Sequence, residues 1–165
     1  MNMKFVPFFI YLLSVVACAP RDKQVPDNKP QVISDSAALC EECRVCAGQF
    51  YEADELDSAL FWYTRATEYD PQSPQAWHGK ASTLSRMLRH DEAQVAYDEA
   101  LRLKPDYVLA IWHRACDYSV NLHREEALAT LKHAVELDPS VKQNAKEDPC
   151  FQWLWKDDDF LKVVK

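Results

Sequence analysis

The feature that most constrains this chain is a 34-residue period in its central part. Proline recurs with this spacing at Pro71, Pro105 and Pro139. Alanine recurs with it in three columns: Ala47, Ala81 and Ala115; Ala59, Ala93 and Ala127; Ala66, Ala100 and Ala134. Large side chains fill two more columns: Tyr63, Tyr97 and Leu131; Phe50, Leu84 and Tyr118. So many columns at one period indicate a repeat protein, in which each unit buries its apolar face against its neighbour.

The pattern resembles the tetratricopeptide repeat (TPR), with three units at 40–73, 74–107 and 108–141. In that family each unit is two antiparallel helices, A and then B. The resemblance predicts an all-α fold, a right-handed solenoid of three helix–turn–helix units over residues 36–141. Alanine suits positions where helices approach closely, and proline ends each B helix. The two glycines among 165 residues are also too few for a Rossmann or P-loop enzyme.

The C-terminal segment, residues 142–165, is predicted to be a helical tail that caps the solenoid. The last unit of a solenoid has no following neighbour to cover its apolar face. The tail is rich in aromatic and apolar residues. Phe151, Leu154, Trp155 and Phe160 are expected to dock on helix B of the third unit.

The amino terminus has the pattern of a secretory signal peptide at residues 1–17. Lys4 supplies a positive charge, and the apolar run 5–16 that follows is too short to span a bilayer of about 30 Å. Residues 15–18, Val-Val-Ala-Cys, resemble the bacterial lipoprotein box, in which a peptidase cuts before a lipidated cysteine. The resemblance predicts that the mature chain begins at lipidated Cys18. The alternative is ordinary cleavage after Ala17.

Residues 18–35 are predicted to be a flexible linker, because they contain three prolines and few apolar side chains. Ala19 follows the cysteine where an aspartate would be the usual signal for retention in the inner membrane. The resemblance therefore predicts a lipid anchor in the bacterial cell envelope, at the outer membrane and facing the periplasm.

The net charge of the chain limits the class of partner that it can bind. Nineteen Lys and Arg against 26 Asp and Glu give a net charge of −7. Because this charge repels phosphate backbones, we expect no nucleic acid partner.

In the TPR family the A helices line a concave surface that binds peptides. The family's lining positions, carried onto this sequence, supply the predicted groove residues: Arg44, Tyr51, His78, Ser82, Arg86, Trp112 and Ser119. Of the five histidines, only His78 falls on this surface. Aromatic surface beside Arg44, His78 and Arg86 suits a protein or peptide partner with an apolar anchor and a carboxylate. The alternative is that the tail folds back and fills the groove.

One TPR subfamily grips the carboxyl termini of chaperones through Lys or Arg and Asn at fixed positions. Arg44 fits the first basic position. Gly48, Gly79, Leu109 and His113 occupy positions where Asn, Asn, Lys and Arg would be needed. The sequence therefore argues against that ligand.

Three cysteines, Cys40, Cys43 and Cys46, recur every third residue and fall along one side of a helix. They could serve a metal- or redox-active protein, which is the alternative function. Zinc sites usually draw their ligands from two separate elements, and Cys43 and Cys46 lie in columns that pack inward. The favoured interpretation is that they fill the core. A disulfide that also involves Cys116 or Cys150 is possible in an oxidising compartment, with its connectivity left open.

The sequence contains no recognisable nucleophile or metal-ligand motif, so we expect no enzyme activity and no cofactor. We therefore interpret the chain as a lipid-anchored TPR adaptor that binds a protein partner during assembly or maintenance of the envelope. The partner and the oligomeric state stay open.

Overall fold

The structure is a computed structural model that describes residues 31–165. Its first six helices form three antiparallel hairpins, one for each predicted unit. They are α1 Gln31–Glu52, α2 Leu56–Tyr69, α3 Pro74–Arg86, α4 His90–Leu103, α5 Val108–Val120 and α6 Arg124–Leu137. The described residues contain no strand. The predicted all-α solenoid is confirmed.

The nine repeated alanines lie at the closest contacts between helices. Each of them is 0% exposed. A methyl side chain lets two helix backbones approach closely while larger neighbours fill the remaining space. This burial explains why the alanine columns keep the 34-residue period.

Glycine is needed at one close contact between α2 and α3. The ring of Tyr63 lies over Gly79, and a Cβ atom built there would be 2.1 Å from Tyr63 Cε1. Because no side chain fits under the ring, the absence of a Cβ at Gly79 allows Tyr63 to pack between neighbouring units.

The turn between helices A and B has the same geometry in all three units. Asp54, Leu88 and Leu122, spaced 34 residues apart, have φ values of 61°, 60° and 62°. In the second unit the amide of Arg89 donates to the carbonyl of Leu84 at 2.9 Å, and the other two turns repeat this bond. This is the Schellman arrangement, in which a left-handed residue ends the helix.

The prolines of the repeat follow the B helices as predicted. Helices α2, α4 and α6 end two residues before Pro71, Pro105 and Pro139, respectively. Proline lacks the amide hydrogen that a continued helix would need, and it disfavours helical geometry at the residue before it.

The tail consists of α7 Val141–Glu147, a 3₁₀ helix Pro149–Leu154 and α8 Asp158–Val163. Phe151, Leu154, Phe160 and Val164 are at most 1% exposed and belong to one apolar core with α5 and α6. The helix α8 packs on α6, which is helix B of the third unit. The 3₁₀ helix packs instead on α5, the A helix of that unit.

Helix α1 begins at Gln31, so residues 31–35 of the predicted linker are helical. The predicted signal peptide, Cys18 and the rest of the linker lie outside the described residues. Among the helices from residue 31 onward, none combines the length and the apolar character that crossing a membrane requires.

Candidate functional site

An open pocket of about 140 Å³ lies where the A helices of the three units meet. Its lining comes from α1, α3, α4 and α5: Tyr51, Ser82, Ser85, Arg86, Tyr97, His113 and Cys116. Three of the predicted groove residues, Tyr51, Ser82 and Arg86, are therefore brought together in it. Arg44, His78, Trp112 and Ser119 do not line it.

Arg86 joins the first two units at the rim of the pocket. Its guanidinium carbon lies 4.5 Å from the centre of the Tyr51 ring, a cation–π contact. The guanidinium donates to the Tyr51 carbonyl at 3.0 Å and to the Asp54 carboxylate at 2.6 Å. The Arg86 side chain is nevertheless 41% exposed, and that of Asp54 is 74% exposed. The cation is thus held in place and still faces solvent.

His113 lines the pocket and shares a hydrogen bond with His78, which lies behind it. His78 Nε2 lies 2.8 Å from His113 Nδ1, and Ser82 Oγ lies 3.1 Å from the same nitrogen of His113. The hydroxyl of Tyr97 completes the cluster at 3.5 Å from Ser82 Oγ. His78 is only 8% exposed. It supports the wall from behind, while His113 faces the pocket.

Burial keeps both imidazoles neutral at neutral pH. Burial, with a smaller contribution from His113, lowers the pKa of His78 to about 3. Burial also lowers the pKa of His113. Because neither ring carries a positive charge, Arg86 is the cation that the pocket offers to a ligand.

Ser85 is fixed at the pocket by the buried carboxylate of Asp117. The Ser85 hydroxyl donates to Asp117 Oδ1, and Gln94 Nε2 donates to Oδ2 at 2.6 Å. His90 Nδ1 lies 2.8 Å from Oδ1. The Asp117 side chain is 1% exposed, and these partners satisfy the hydrogen-bonding capacity that its burial requires. This network ties the second unit to the third.

Arg44 lies on α1 outside the pocket. Its guanidinium makes a bidentate ion pair with Glu41 on the same helix, with distances of 2.8 and 2.6 Å. Its side chain is 37% exposed. The Arg44 guanidinium is therefore partly exposed on the surface, and its ion pair lies within α1 rather than between units.

The tail covers the third unit's part of the predicted groove. The Ser119 hydroxyl donates to the carbonyl of Cys150 at 2.7 Å, and Trp153 Nε1 donates to the Ser119 carbonyl at 2.9 Å. The ring of Trp112 contacts Phe151 edge-on, with ring centres 5.2 Å apart. Ser119 is 0% exposed. The open part of the concave surface is thus confined mainly to the first two units and the adjacent edge of α5.

The cysteines separate into different environments. Cys40 and Cys43 are free thiols, each 5% exposed, in an apolar cluster with Ala66 and Ala76. Burial raises the pKa of both thiols, so they are protonated at neutral pH. Cys46 is partly buried on the same helix. Within residues 36–165, the ligand atoms of these three cysteines do not converge as a metal site requires.

Cys116 and Cys150 form a disulfide that links α5 to the 3₁₀ helix, with their Cα atoms 5.4 Å apart. This pairing resolves part of the connectivity that the sequence left open. The covalent link adds to the hydrogen bonds that hold the tail on the third unit.

Four residues that line the pocket, Ser85, Tyr97, His113 and Cys116, are not among the predicted groove residues. Tyr97 belongs to a B helix and to a column that the repeat pattern places in the core, yet its hydroxyl reaches the pocket past the small side chain of Ser82. Ser85, His113 and Cys116 lie on A helices, and Ser85 and Cys116 occupy two of the family's lining positions. Those positions were the available signal for Ser85 and Cys116. No local signal marks Tyr97, because its reach depends on a residue fifteen positions away.

Comparisons with known proteins support this helical-repeat fold. A sequence model of the tetratricopeptide repeat matches residues 74–107, which are the bounds of the second predicted unit. The TPR domain of Arabidopsis OM64 superposes with a TM-score of 0.64 at 18% identity, covering 68% of this chain and 95% of that domain. The chain contains a tetratricopeptide repeat at residues 74–107 and has the fold of a TPR solenoid.

A second similar structure is the first TPR domain of Spaghetti (RPAP3) bound to the HSP90 peptide SRMEEVD. The chain matches it with a TM-score of 0.63 and 20% identity, over 72% of this chain and 94% of that one. The peroxisomal targeting signal receptor of Saccharomyces cerevisiae is 29% identical over 120 residues. The match covers 72% of this chain but spans only 19% of the yeast receptor's length.

Proposed function

We propose that this TPR protein is an adaptor that binds an extended segment of a protein partner on the concave surface of its first two units. The observation that carries the proposal is the open pocket between the A helices. It combines the ring of Tyr51 and the hydroxyl of the otherwise buried Tyr97 with a partly exposed Arg86. Such a surface suits an apolar or aromatic anchor with a carboxylate beside it.

The ion pairs on this surface permit a ligand carboxylate to bind. Arg86 pairs with Asp54 and Arg44 with Glu41, and both acidic side chains are more than half exposed. Exposed ion pairs contribute only about 0–1 kcal/mol, so exchanging one of these acids for a ligand carboxylate costs little. The neutral His113, which faces the pocket with His78 behind it, supplies a hydrogen-bonding group rather than charge.

The ligand differs from the HSP90 peptide that the structural neighbour holds. Four positions that would supply Asn, Lys or Arg in the chaperone-binding subfamily hold Gly48, Gly79, Leu109 and His113 here. The pocket's cation comes instead from Arg86, at a different position of the second unit. The proposal therefore assigns a peptide partner without the chaperone clamp.

We further propose that a lipid on Cys18 anchors the adaptor at the outer membrane, facing the periplasm. The support is the sequence of residues 15–18 and the alanine that follows. Confining the adaptor to a surface raises its effective concentration toward partners held at the same membrane. A role in assembly or maintenance of the envelope fits this placement.

Paired arginine variants test the binding proposal. Arg86→Ala removes the pocket cation, whereas Arg89→Ala removes an arginine of equal exposure that pairs with Glu92 outside the pocket. After crosslinking in the native envelope and purification, we expect Arg86→Ala to recover about tenfold less of the partner that wild type recovers. Arg89→Ala should recover it in full. Equal recovery with folded Arg86→Ala protein would reject the pocket as the binding surface.

The anchor is tested separately by mass spectrometry of the mature protein isolated from cells. We expect the mature chain to begin at Cys18 and to carry the mass of the lipid. The Cys18→Ser variant should lack that mass. A mature wild-type chain without lipid mass would reject the anchor and leave the binding proposal intact.

A further inference from the structure

Three metal-binding side chains converge where the tail meets the third unit. Cys116 lies on α5, and Asp148 and Cys150 flank the start of the 3₁₀ helix. Their two sulfur atoms and a carboxylate oxygen all lie within 4.8 Å of one another, and all three residues are partly buried. Cys116 and Cys150 are joined as a disulfide here. Among the residues from 36 onward, this is the group with the spacing of a metal site.

The tail is held in this position by contacts that do not need the disulfide. Phe151, next to Cys150, is 0% exposed in the shared core. Ser119, one turn beyond Cys116 on α5, donates to the Cys150 carbonyl at 2.7 Å. Asp157 and Asp159 of the tail both bind Arg124 at 2.8 to 2.9 Å. Reduction of the disulfide therefore leaves the two thiols beside each other.

Asp148 is also oriented before any ion arrives. Its Oδ1 atom accepts a 2.9 Å hydrogen bond from the amide of Cys150 and caps the 3₁₀ helix. A carboxylate has further acceptor capacity beyond that one bond. Thiolate sulfur and carboxylate oxygen are both ligands of Zn²⁺, and three protein ligands from two elements would leave a fourth tetrahedral position for water.

We propose that the reduced form of this protein binds Zn²⁺ through Cys116, Cys150 and Asp148. The ion then replaces the disulfide as the link between the tail and the third unit. Thiolate sulfur favours Zn²⁺ over the hard ions Mg²⁺ and Ca²⁺. The buried thiols Cys40 and Cys43 lie among alanines in an apolar cluster and have no such carboxylate ligand in this geometry.

The chemistry balances with a dithiol as reductant. The dithiol gives two electrons to the disulfide, the sulfur–sulfur bond breaks and each cysteine sulfur takes a proton, while the reductant closes to its own disulfide. Zn²⁺ then displaces the two thiol protons into solvent as it binds. Thiol–disulfide exchange with the disulfide form of that reductant reverses the process: the reductant takes up the two electrons, the Cys116–Cys150 bond re-forms and the ion is released.

The test is a titration of the full chain with Zn²⁺, and with Co²⁺ as a spectroscopic probe, after reduction and removal of the dithiol. We expect one ion per chain at this site, with sulfur-to-cobalt charge-transfer absorption. The Cys116→Ser/Cys150→Ser variant should lose it, whereas the matched Cys40→Ala/Cys43→Ala variant should keep it. The oxidised protein should not bind the ion there.

A third variant tests the site without removing the two cysteines, so that misfolding of the double serine variant cannot be mistaken for loss of the site. Asp148→Asn keeps an oxygen for the helix cap and both thiols, and we expect it to weaken Zn²⁺ binding by about tenfold or more. Absence of one-to-one binding in the reduced protein would overturn the proposal. So would cobalt–sulfur absorption that depends on Cys40 and Cys43, or affinity unchanged by Asp148→Asn.

Discussion

At the scale of single residues, the repeated turn contains side chains that its backbone does not favour. Leu88 and Leu122 adopt left-handed geometry and are 72% and 68% exposed. A leucine in this region costs roughly 1–2 kcal/mol through the clash of its Cβ with the backbone. Because both side chains face solvent, little burial offsets this cost.

Leu88→Gly is therefore expected to raise the free energy of unfolding by about 0.5–1 kcal/mol, after the larger entropy of the unfolded chain is allowed for. Leu122→Gly should act in the same direction. Urea unfolding measures both. Val95→Gly, at an equally exposed position inside α4, is the control and should destabilise by roughly 0.5 kcal/mol. A loss of stability in Leu88→Gly would contradict the turn geometry.

His78 makes stability depend on pH. Its pKa is about 3 in the folded protein against 6.5 as an ordinary value, because burial and His113 disfavour the charged ring. Tyr97 and Tyr107 are the other titratable groups around this ring. Below about pH 6.5 the unfolded chain binds a proton that the folded chain does not, so folding becomes less favourable as the pH falls.

We expect the free energy of unfolding to fall by about 1 kcal/mol per pH unit between pH 6 and pH 4.5 from this group. His78→Gln should flatten that slope while the acid-induced losses from carboxylates below pH 4 remain. Unfolding by urea at a series of pH values measures the slope. An identical slope in wild type and variant would show that His78 is not buried as described.

At the scale of elements, the tail is an integral part of the fold. Phe151 is 0% exposed between Trp112 and Phe160, with ring centres 5.2 and 6.0 Å away. Phe151→Ala should lower the free energy of unfolding by about 3–5 kcal/mol, since it removes a buried ring and leaves a cavity. Leu161→Ala, on the exposed side of α8, should cost less than 1 kcal/mol. A loss below 1 kcal/mol for Phe151→Ala would mean that the tail does not cap the solenoid.

The elements also show what a sequence can predict. The alanine columns predict the helix hairpins because close helix contacts admit only small side chains at those positions. The same period places Tyr51, Ser82 and Arg86 on the A helices. It does not reveal that Ser119 binds Cys150 some thirty residues later, because the repeat pattern carries no information about segments outside it. The reach of Tyr97 is hidden for a different reason, because it depends on the small side chain of Ser82 on the neighbouring helix.

At the scale of the whole molecule, the solenoid is closed at one end and open on its first two units. The tail, the disulfide and the Arg124 ion pairs cover the third unit. The pocket with Arg86 at its rim remains open to solvent. In this array of three units, one part of the concave surface therefore stays open and the rest is covered.

Binding of a partner at this pocket can be detected by site-specific photocrosslinking in the native cell. A photoreactive aromatic amino acid replaces Tyr51 in the pocket or Phe61, which is 57% exposed on α2 outside it. We expect a discrete crosslinked partner from position 51 that Arg86→Ala abolishes and Arg89→Ala preserves, and none from position 61. A partner captured equally from both positions, or only from position 61, would contradict binding at this pocket.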